Sequence, residues 1–478
     1  MIVHGVAGLV ELCLVGLLPA LAVAGISSAT LFLVPLASSA MAGIAATIEF
    51  GVGGSIGGCF VVVAVLANIA AALGLAVPFL AGVGWPLLVL QAPVIGFDAQ
   101  AIWLVHTALV WGGHHTLVAG LTSNVYGFTN TDYPPLVPGT GALAYAVVGH
   151  VDQRLAVVAT AVLSACAVAV LAAGITRVVP PRAGVVRRAG AVVVVIGFCG
   201  AVFGISGQFA VNGYTDTLWS AAALVAVVYG LVLPRTSRNL LVAWLCIVVA
   251  SLTKNEGFVV SGAISVLVAV RCVPWAARRG RHGSGEGWAR RLPGAARALG
   301  GAGWVRLVLT AGVPMVPGAL WASFVKLNGI GSQLFISGRT ESIPLRLSAT
   351  AASMGRQLDL APAALVVLLV GALTLRHRRR RVGAANPAWL WTVALAGLVV
   401  IGATYVFGTI EIHWWLSTSV TRTTIFDQMA FLVDMTIWAL VAMTAPGRRE
   451  PEPDDDAAQR HEPVPAARDA PRVEAGVG

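Results

Sequence analysis

Apolar runs long enough to cross a bilayer recur from one end of this 478-residue chain to the other. No other feature narrows its architecture so much, because a hydrocarbon core of roughly 30 Å takes about 20 apolar residues in helical form. Twelve such segments are read, near 5–24, 27–48, 57–80, 155–176, 189–206, 217–233, 240–252, 257–271, 304–326, 358–375, 389–408 and 426–445. Each must be a helix, since an open strand in lipid would leave backbone N–H and C=O groups without partners. The expected fold is an all-α polytopic membrane protein with about twelve transmembrane helices. Only 11% of the residues are charged against 57% hydrophobic, so each polar side chain carries information.

The formal net charge of +10 follows topology. Basic residues gather in connections: Arg177, Arg182, Arg187 and Arg188; Arg235 and Arg238; the stretch from Arg278 to Arg297; Arg376 to Arg381; Arg448 and Arg449. In the twelve-span reading all fall on one side, the positive-inside pattern. That orientation puts both termini in the cytoplasm, the chain in the inner (plasma) membrane and its flanks in membrane lipid. It also removes the reason to invoke nucleic acid. Ala22-Val23-Ala24 imitates a signal-peptide cleavage site, but Met1-Ile2-Val3-His4-Gly5 lacks a positive charge, so no cleavage is expected. Six cysteines without paired spacing read as packing residues.

The chain divides into N-terminal transmembrane helices (1–80), a long extracytoplasmic loop (81–154) and a transmembrane core (155–445). The core has outer loops at 207–216, 252–256, 327–357 and 409–425 and is followed by a disordered cytoplasmic tail (446–478) poor in aromatics. Inside the long loop the stretches 98–111 and 139–149 read as interfacial helices, with Trp103 and Trp111 at head-group depth.

The outer face then carries Arg154, Lys254, Lys326, Arg339, Arg346, Arg356 and Arg422, together with Asp98, Asp132, Asp216, Glu256, Glu341, Asp359, Glu411 and Asp427. Fixed cations at this depth suit a lipid phosphate, and a neighbouring carboxylate can take a proton from a hydroxyl. Mutual ion pairing that stiffens the loops is the plain alternative. Each position also has a local one. Asp98 could cap the helix 98–111, Asp132 could hold the turn into Tyr133-Pro134-Pro135, and Asp216 could cap the span that follows it. Lys254 and Glu256 could neutralise each other. Ser417, Thr418, Ser419, Thr421, Thr423 and Thr424 give Arg422 a hydroxyl-rich surround that suits phosphate. His106 lies one helix turn after Trp103, whereas the adjacent His114 and His115 point about 100° apart and read as solvated rather than metal-binding. His413 and Trp414 face either a sugar or the membrane interface. No zinc motif and no Gly-rich nucleotide loop is found.

Five polar stretches follow one another in order. They are Gly96-Phe97-Asp98-Ala99-Gln100-Ala101-Ile102-Trp103; Thr131-Asp132-Tyr133-Pro134-Pro135-Leu136-Val137-Pro138; Gly213-Tyr214-Thr215-Asp216; Leu252-Thr253-Lys254-Asn255-Glu256-Gly257; and His413-Trp414-Trp415-Leu416-Ser417-Thr418-Ser419-Val420-Thr421-Arg422. This series resembles the GT-C membrane glycosyltransferases over residues 80–440, and within them the bacterial branch related to protein mannosyltransferases and lipid A aminoarabinose transferases. The resemblance implies a GT-C-like helical fold and transfer of a sugar from a polyprenyl-phosphate-linked donor to an extracytoplasmic glycan or glycolipid of the cell envelope, by an inverting displacement. An Asp in the first large outer loop is the family's general base, and Asp98 stands at that position. Where protein mannosyltransferases usually carry Asp-Glu, Ala99 follows Asp98, so a second acid must come from elsewhere.

On this reading Lys254 and Arg422, with Arg339 and Arg356 behind them, bind the donor phosphate. Trp103, His106, Asp132, Tyr133, Asp216, Glu256, His413 and Trp414 contact substrate. No cofactor is assigned beyond the lipid-linked sugar itself, although the chemistry would accommodate a divalent cation. The rival is a twelve-helix transporter or lipid-linked-sugar flippase, which predicts acids and cations buried in mid-membrane and broken helices.

Overall fold

A computed structural model describes residues 15–17, 20–21, 28–52, 55–72, 95–179, 185–272, 300–331, 341–375 and 388–443. Among these residues the regular structure is entirely helical. The helices are α1 (Ser28–Val52), α2 (Ile56–Ala72), α3 (Ala99–Trp111, π-wound over Ala99–Leu104), α4 (His114–Thr122), α5 (Leu136–Val148), α6 (Gln153–Thr176), α7 (Val185–Val211) and α8 (Asp216–Val232). They continue as α9 (Ser237–Thr253), α10 (Asn255–Cys272), α11 (Gly300–Gly312), α12 (Val316–Leu327), α13 (Ile343–Gln357), α14 (Leu360–Thr374), α15 (Ala388–Phe407), α16 (Ile412–Thr423) and α17 (Ile425–Met443).

Seven helical runs are long and apolar enough to cross a membrane, and α13 with α14, bent by 67°, make an eighth if counted together. The protein is a multi-pass α-helical membrane protein. The expected count of twelve is not reached among the described residues. The segment near 5–24 lies mostly outside them. Helix α9 is 17 residues long, and α8 changes to π winding at Val228–Val232 before Pro234. Arg182, the Arg278–Arg297 and Arg376–Arg381 stretches, Arg448, Arg449, Cys13 and the tail 446–478 also lie outside the described residues. Among the described residues, Cys59, Cys166, Cys199, Cys246 and Cys272 form no disulfide.

Helix α8 is the axis of the bundle. Every residue from Asp216 to Val227 is buried, and α6, α9, α10 and α17 pack around it. Helices at the periphery bury one face only: α7 packs Ala191, Phe198 and Val202 inward and leaves Val193, Ile196 and Phe203 on the outside. Since lipid is as apolar as leucine, packing rather than water exclusion holds such helices together, and small residues at the contacts allow close approach.

One end of this bundle is basic. Arg177 donates to Asn239 Oδ1 (3.2 Å), and Arg271 donates to the carbonyls of Gly230 (2.7 Å) and Leu233 (2.9 Å), so it ties the end of α10 to the end of α8. The opposite end carries Asp216, Lys254 and Arg422.

Two expectations are corrected. The stretch 139–149, expected at an interface, packs inside the protein: α5 is buried from Leu136 to Tyr145 except at half-buried Thr140 and is wedged against α1, α3 and α6. Its small residues make this contact close: a Cβ on Gly141 would sit 2.7 Å from Thr107 Cγ2, and one on Gly139 3.1 Å from the Ala42 carbonyl. The second correction concerns α1. The expected topology ended the span 27–48 on the cytoplasmic side. Gly43 instead faces Leu136 Cα and Leu252 Cδ1 (3.2 and 3.1 Å from its would-be Cβ), beside Tyr133 and Lys254 at the opposite end. The stretch 73–94 carries no charge that would mark a side, and it lies outside the described residues.

Candidate functional site

At the end of the bundle opposite Arg177 and Arg271, four segments far apart in sequence bring five charged side chains into one chain of ion pairs. Arg422, in the last turn of α16, meets Asp98 Oδ2 at 2.5 Å and Asp216 Oδ2 at 3.8 Å. Asp216 Oδ1 accepts from Lys254 Nζ at 2.8 Å, and Lys254 also faces Glu256 Oε1 at 3.5 Å. Three carboxylates thus surround two cations.

Local structure explains each placement. Lys254 occupies the extended residue between α9 and α10 and points across to the first turn of α8. Asp216 and Glu256 sit in the first turns of α8 and α10, where a carboxylate complements the helix N-terminus. Asp98 precedes the π turns of α3 and makes no side-chain capping bond, so the capping alternative is not realised. Arg422 is held from behind: its guanidinium lies 4.7 Å from the centre of the Tyr214 ring. That ring is fixed by Phe209 at 5.7 Å and by Gly96, where a Cβ would fall 2.0 Å from Tyr214 Cε2. Gly213, at φ +85°, makes the turn that presents Tyr214.

Exposure is graded along the chain of charges. The side chains of Asp216, Lys254 and Arg422 are 2, 8 and 12% exposed, whereas that of Asp98 is 25% exposed. Asp98 is therefore the member open to an incoming molecule. Burial alone would pull the Lys254 ammonium down, but Asp216 and Glu256 outweigh it and raise it well above the usual lysine range.

A second layer braces the first. Asn255 donates to Asp132 Oδ2 (2.8 Å), the Trp321 indole donates to the Asp132 carbonyl (2.9 Å), and Thr131 donates to the Gly331 carbonyl (3.0 Å). Asp132 thus links the turn before α5 to α10 and α12. Tyr133 lies 5.8 Å from Lys254 Nζ and stacks on Trp103 at 5.3 Å. Burial, reinforced by Glu256, pushes its phenol well up, so it stays neutral. His106 meets Thr129 Oγ1 at 3.1 Å, and burial pulls its imidazole down to about 4.

The expected site is therefore partly assembled. Asp98, Asp216, Lys254, Glu256 and Arg422 converge, with Asp132 and Tyr133 directly behind. Trp103 and His106 are each 3% exposed and serve as buried supports, not an open substrate wall. Arg356 is exposed and bonds to Ser353 of its own helix, outside the ion-pair chain. Arg339 lies outside the described residues. His413 and Trp414 are exposed, and Glu411 caps their backbone N–H groups. The hydroxyls around Arg422 do not form a phosphate cradle: Ser417, Thr418, Ser419, Thr423 and Thr424 bond to carbonyls of α16, and Ser419 and Thr423 also meet the Tyr405 hydroxyl. Arg346 is fully buried, donating to Glu341 and to the carbonyls of Tyr405, Val406 and Ile410, as a clasp between α13 and the end of α15. Among the described residues no group of three or more His, Cys, Asp or Glu is arranged to hold a metal ion.

Sequence reasoning gave no role to Tyr214, Asn255 or Trp321. It also passed over Glu49 on α1 and Asp434 on α17, and counted Asp427 among the acids of the outer face. All three acids are fully buried and make no ion pair among the described residues. The signal was present, since an acid within an apolar span is a functional candidate by default. No protein-family model matches this chain, and neither a curated protein nor a solved structure matches it.

Proposed function

We propose that the protein is an integral membrane glycosyltransferase of GT-C type that moves a sugar from a polyprenyl-phosphate donor to an extracytoplasmic acceptor of the cell envelope. One observation carries this reading: Asp98, Asp216, Lys254, Glu256 and Arg422 come from four distant segments and meet at one end of the bundle. Residues with complementary roles in one reaction must converge on one centre. The basic residues of the opposite end favour an orientation with that end in the cytoplasm and the site on the outer face of the plasma membrane.

In this reading the Asp98 carboxylate takes the proton of an acceptor hydroxyl. The hydroxyl oxygen bonds to the anomeric carbon as the bond from that carbon to the phosphate oxygen breaks, and the electron pair leaves on polyprenyl phosphate. Arg422, and Lys254 behind it, stabilise the charge gathered on the leaving phosphate. Asp216 supplies the second acid that Ala99 does not.

The test is a deletion strain complemented with wild type or Asp98→Asn at equal membrane expression. Only wild type should restore the missing envelope sugar; equal restoration by both would remove Asp98 from the chemistry. A transporter or flippase is the second reading, and Glu49, Asp427 and Asp434, buried in apolar helices without cationic partners among the described residues, favour it. Substrate movement in proteoliposomes that survives Asp98→Asn and fails with Asp427→Asn would put transport first.

A further inference from the structure

The ion pair between Asp98 and Arg422 conflicts with both of the roles assigned to its members. A carboxylate oxygen held by a guanidinium hydrogen bond at 2.5 Å is not free to receive the proton of an acceptor hydroxyl, and a guanidinium so occupied has no face for a phosphate. We propose that the donor phosphate displaces Asp98 from Arg422, so that binding the lipid-linked sugar releases the base that the reaction then uses. The inference rests on the glycosyltransferase reading and adds to it a coupling between donor binding and activation.

The geometry decides which partner moves. Arg422 is clamped between the Tyr214 ring at 4.7 Å and the buried Asp216 at 3.8 Å. Tyr214 is in turn pinned by Gly96 and Phe209, and Asp216 by Lys254 at 2.8 Å. Asp98 has none of these restraints: it is the most exposed of the five, its side chain makes no capping bond, and the preceding Phe97 is 75% exposed. A phosphate also fits the vacated position. It offers planar pairs of oxygens to the guanidinium fork, as a carboxylate does, and leaves Arg422 neutralised. Asp98 is then the occupant that stands where a phosphate oxygen would bind, and its displacement leaves a free carboxylate beside the donor.

Two measurements on the full chain in lipid nanodiscs test this, with farnesyl phosphate as the probe, inorganic phosphate as the head group alone and farnesol as the tail alone. The first uses wild type only. Asp98 is labelled with glycine ethyl ester and a water-soluble carbodiimide, and the amide formed is quantified by mass spectrometry. Saturating farnesyl phosphate should increase Asp98 labelling several-fold, and farnesol should leave it unchanged; unchanged or reduced labelling with bound farnesyl phosphate overturns the exchange. The second compares affinities. Asp98→Asn removes the competing charge and should tighten farnesyl phosphate binding by about tenfold, the scale of one charge-assisted hydrogen bond, while Arg422→Gln should abolish it. A variant that binds as wild type or more weakly, with an unchanged melting profile, also overturns the exchange but leaves the glycosyltransferase reading in place. If farnesyl phosphate binds to neither wild type nor Asp98→Asn, the exchange fails together with the lipid-phosphate donor. An equal response to inorganic phosphate supports the exchange and assigns it to the head group without the tail.

Discussion

Arg422 and Asp427 stand five residues apart, yet the two regions they open treat charge in opposite ways. Around Arg422 each of the five charged side chains of the ion-pair chain has an oppositely charged partner within 3.8 Å. Along α17, Asp427 and Asp434 are fully buried and make no ion pair among the described residues. Neither oxygen of Asp427 has a hydrogen-bond partner among the described residues, and Asp434 accepts from the Trp391 indole at 3.1 Å. Seven residues separate these acids, so they share one face of the helix. Asp427 Oδ1 points at Gly397 of α15, 2.9 Å from where a Cβ would be. The contrast teaches that charge in this fold has two uses. In the first region ionised groups hold one another in place. In the second, an ionised Asp427 would have no compensating charge, and burying such an ion is far more costly than burying a neutral group.

The largest expected effect comes from breaking the paired region at its centre. Asp216 serves both cations, so Asp216→Asn leaves Lys254 and Arg422 buried with too little negative charge around them. Removing one member of a buried ion pair typically costs about 3–5 kcal/mol. Thermal unfolding in detergent should show a loss of that order, and Asp216→Asn combined with Lys254→Met should recover part of it. An unaffected melting point would mean that the pairs contribute nothing to the fold.

Gly96→Ala tests the same region through its support. The added Cβ cannot coexist with the Tyr214 ring in place, so the ring must leave the back of Arg422. A cation–π contact is worth about 0.5–2 kcal/mol, and transfer activity should fall by roughly the matching tenfold while the protein remains folded. Tyr214→Leu should reproduce the effect; wild-type activity in both would show that Arg422 needs no backing.

These two cases show what was legible in the sequence and what was not. The apolar runs announced the membrane helices because length and composition suffice for that. The polar stretches at helix ends announced Asp98, Asp216, Lys254, Glu256 and Arg422, because such residues have few other places to be in so apolar a chain. Their mutual pairing was visible only as an alternative, since sequence spacing fixes the helix end on which a charge sits and not its distance from a charge on another helix. The hydroxyls of α16 misled for a related reason: within a helix, Ser and Thr bond to the carbonyl three or four residues back unless something better is offered. The end of the bundle reached by α1 was not legible, because no Lys or Arg precedes Arg154 to mark a side. Asp434 was lost because charge was weighed by loop, which passes over an acid inside a span.

His106 sharpens the comparison from the paired side, since it is buried there without an ion-pair partner among the described residues. Its folded-state value near 4 lies below the ordinary histidine value of about 6.5. The unfolded chain therefore binds the extra proton first, and stability present above pH ~6.5 is lost as pH falls toward ~4, by about 1.4 kcal/mol per pH unit at most. His106→Gln should flatten this part of the melting-point profile relative to wild type. A profile with the same slope in both would assign the acid loss to the carboxylates of the ion-pair chain instead. Lys254 has the opposite sign: its raised value keeps its stabilisation in place below pH ~10, and only more alkaline conditions should remove it.

The smallest effect is expected where the two regions differ most. Asp427→Asn replaces an acid by a neutral side chain of the same shape at a position with no charge to satisfy, so the melting point should move by less than the equivalent of ~1 kcal/mol, well below the loss from Asp216→Asn. The two substitutions are chemically identical, and their residues begin neighbouring helices that pack together. Any difference in outcome therefore reports the surroundings alone. Equal losses would mean that Asp427 is ionised and held by a charge, and the division between paired and unpaired acids would collapse. A small loss in stability together with a lost activity would be more informative still, because it would separate the role of Asp427 from folding and leave it to function.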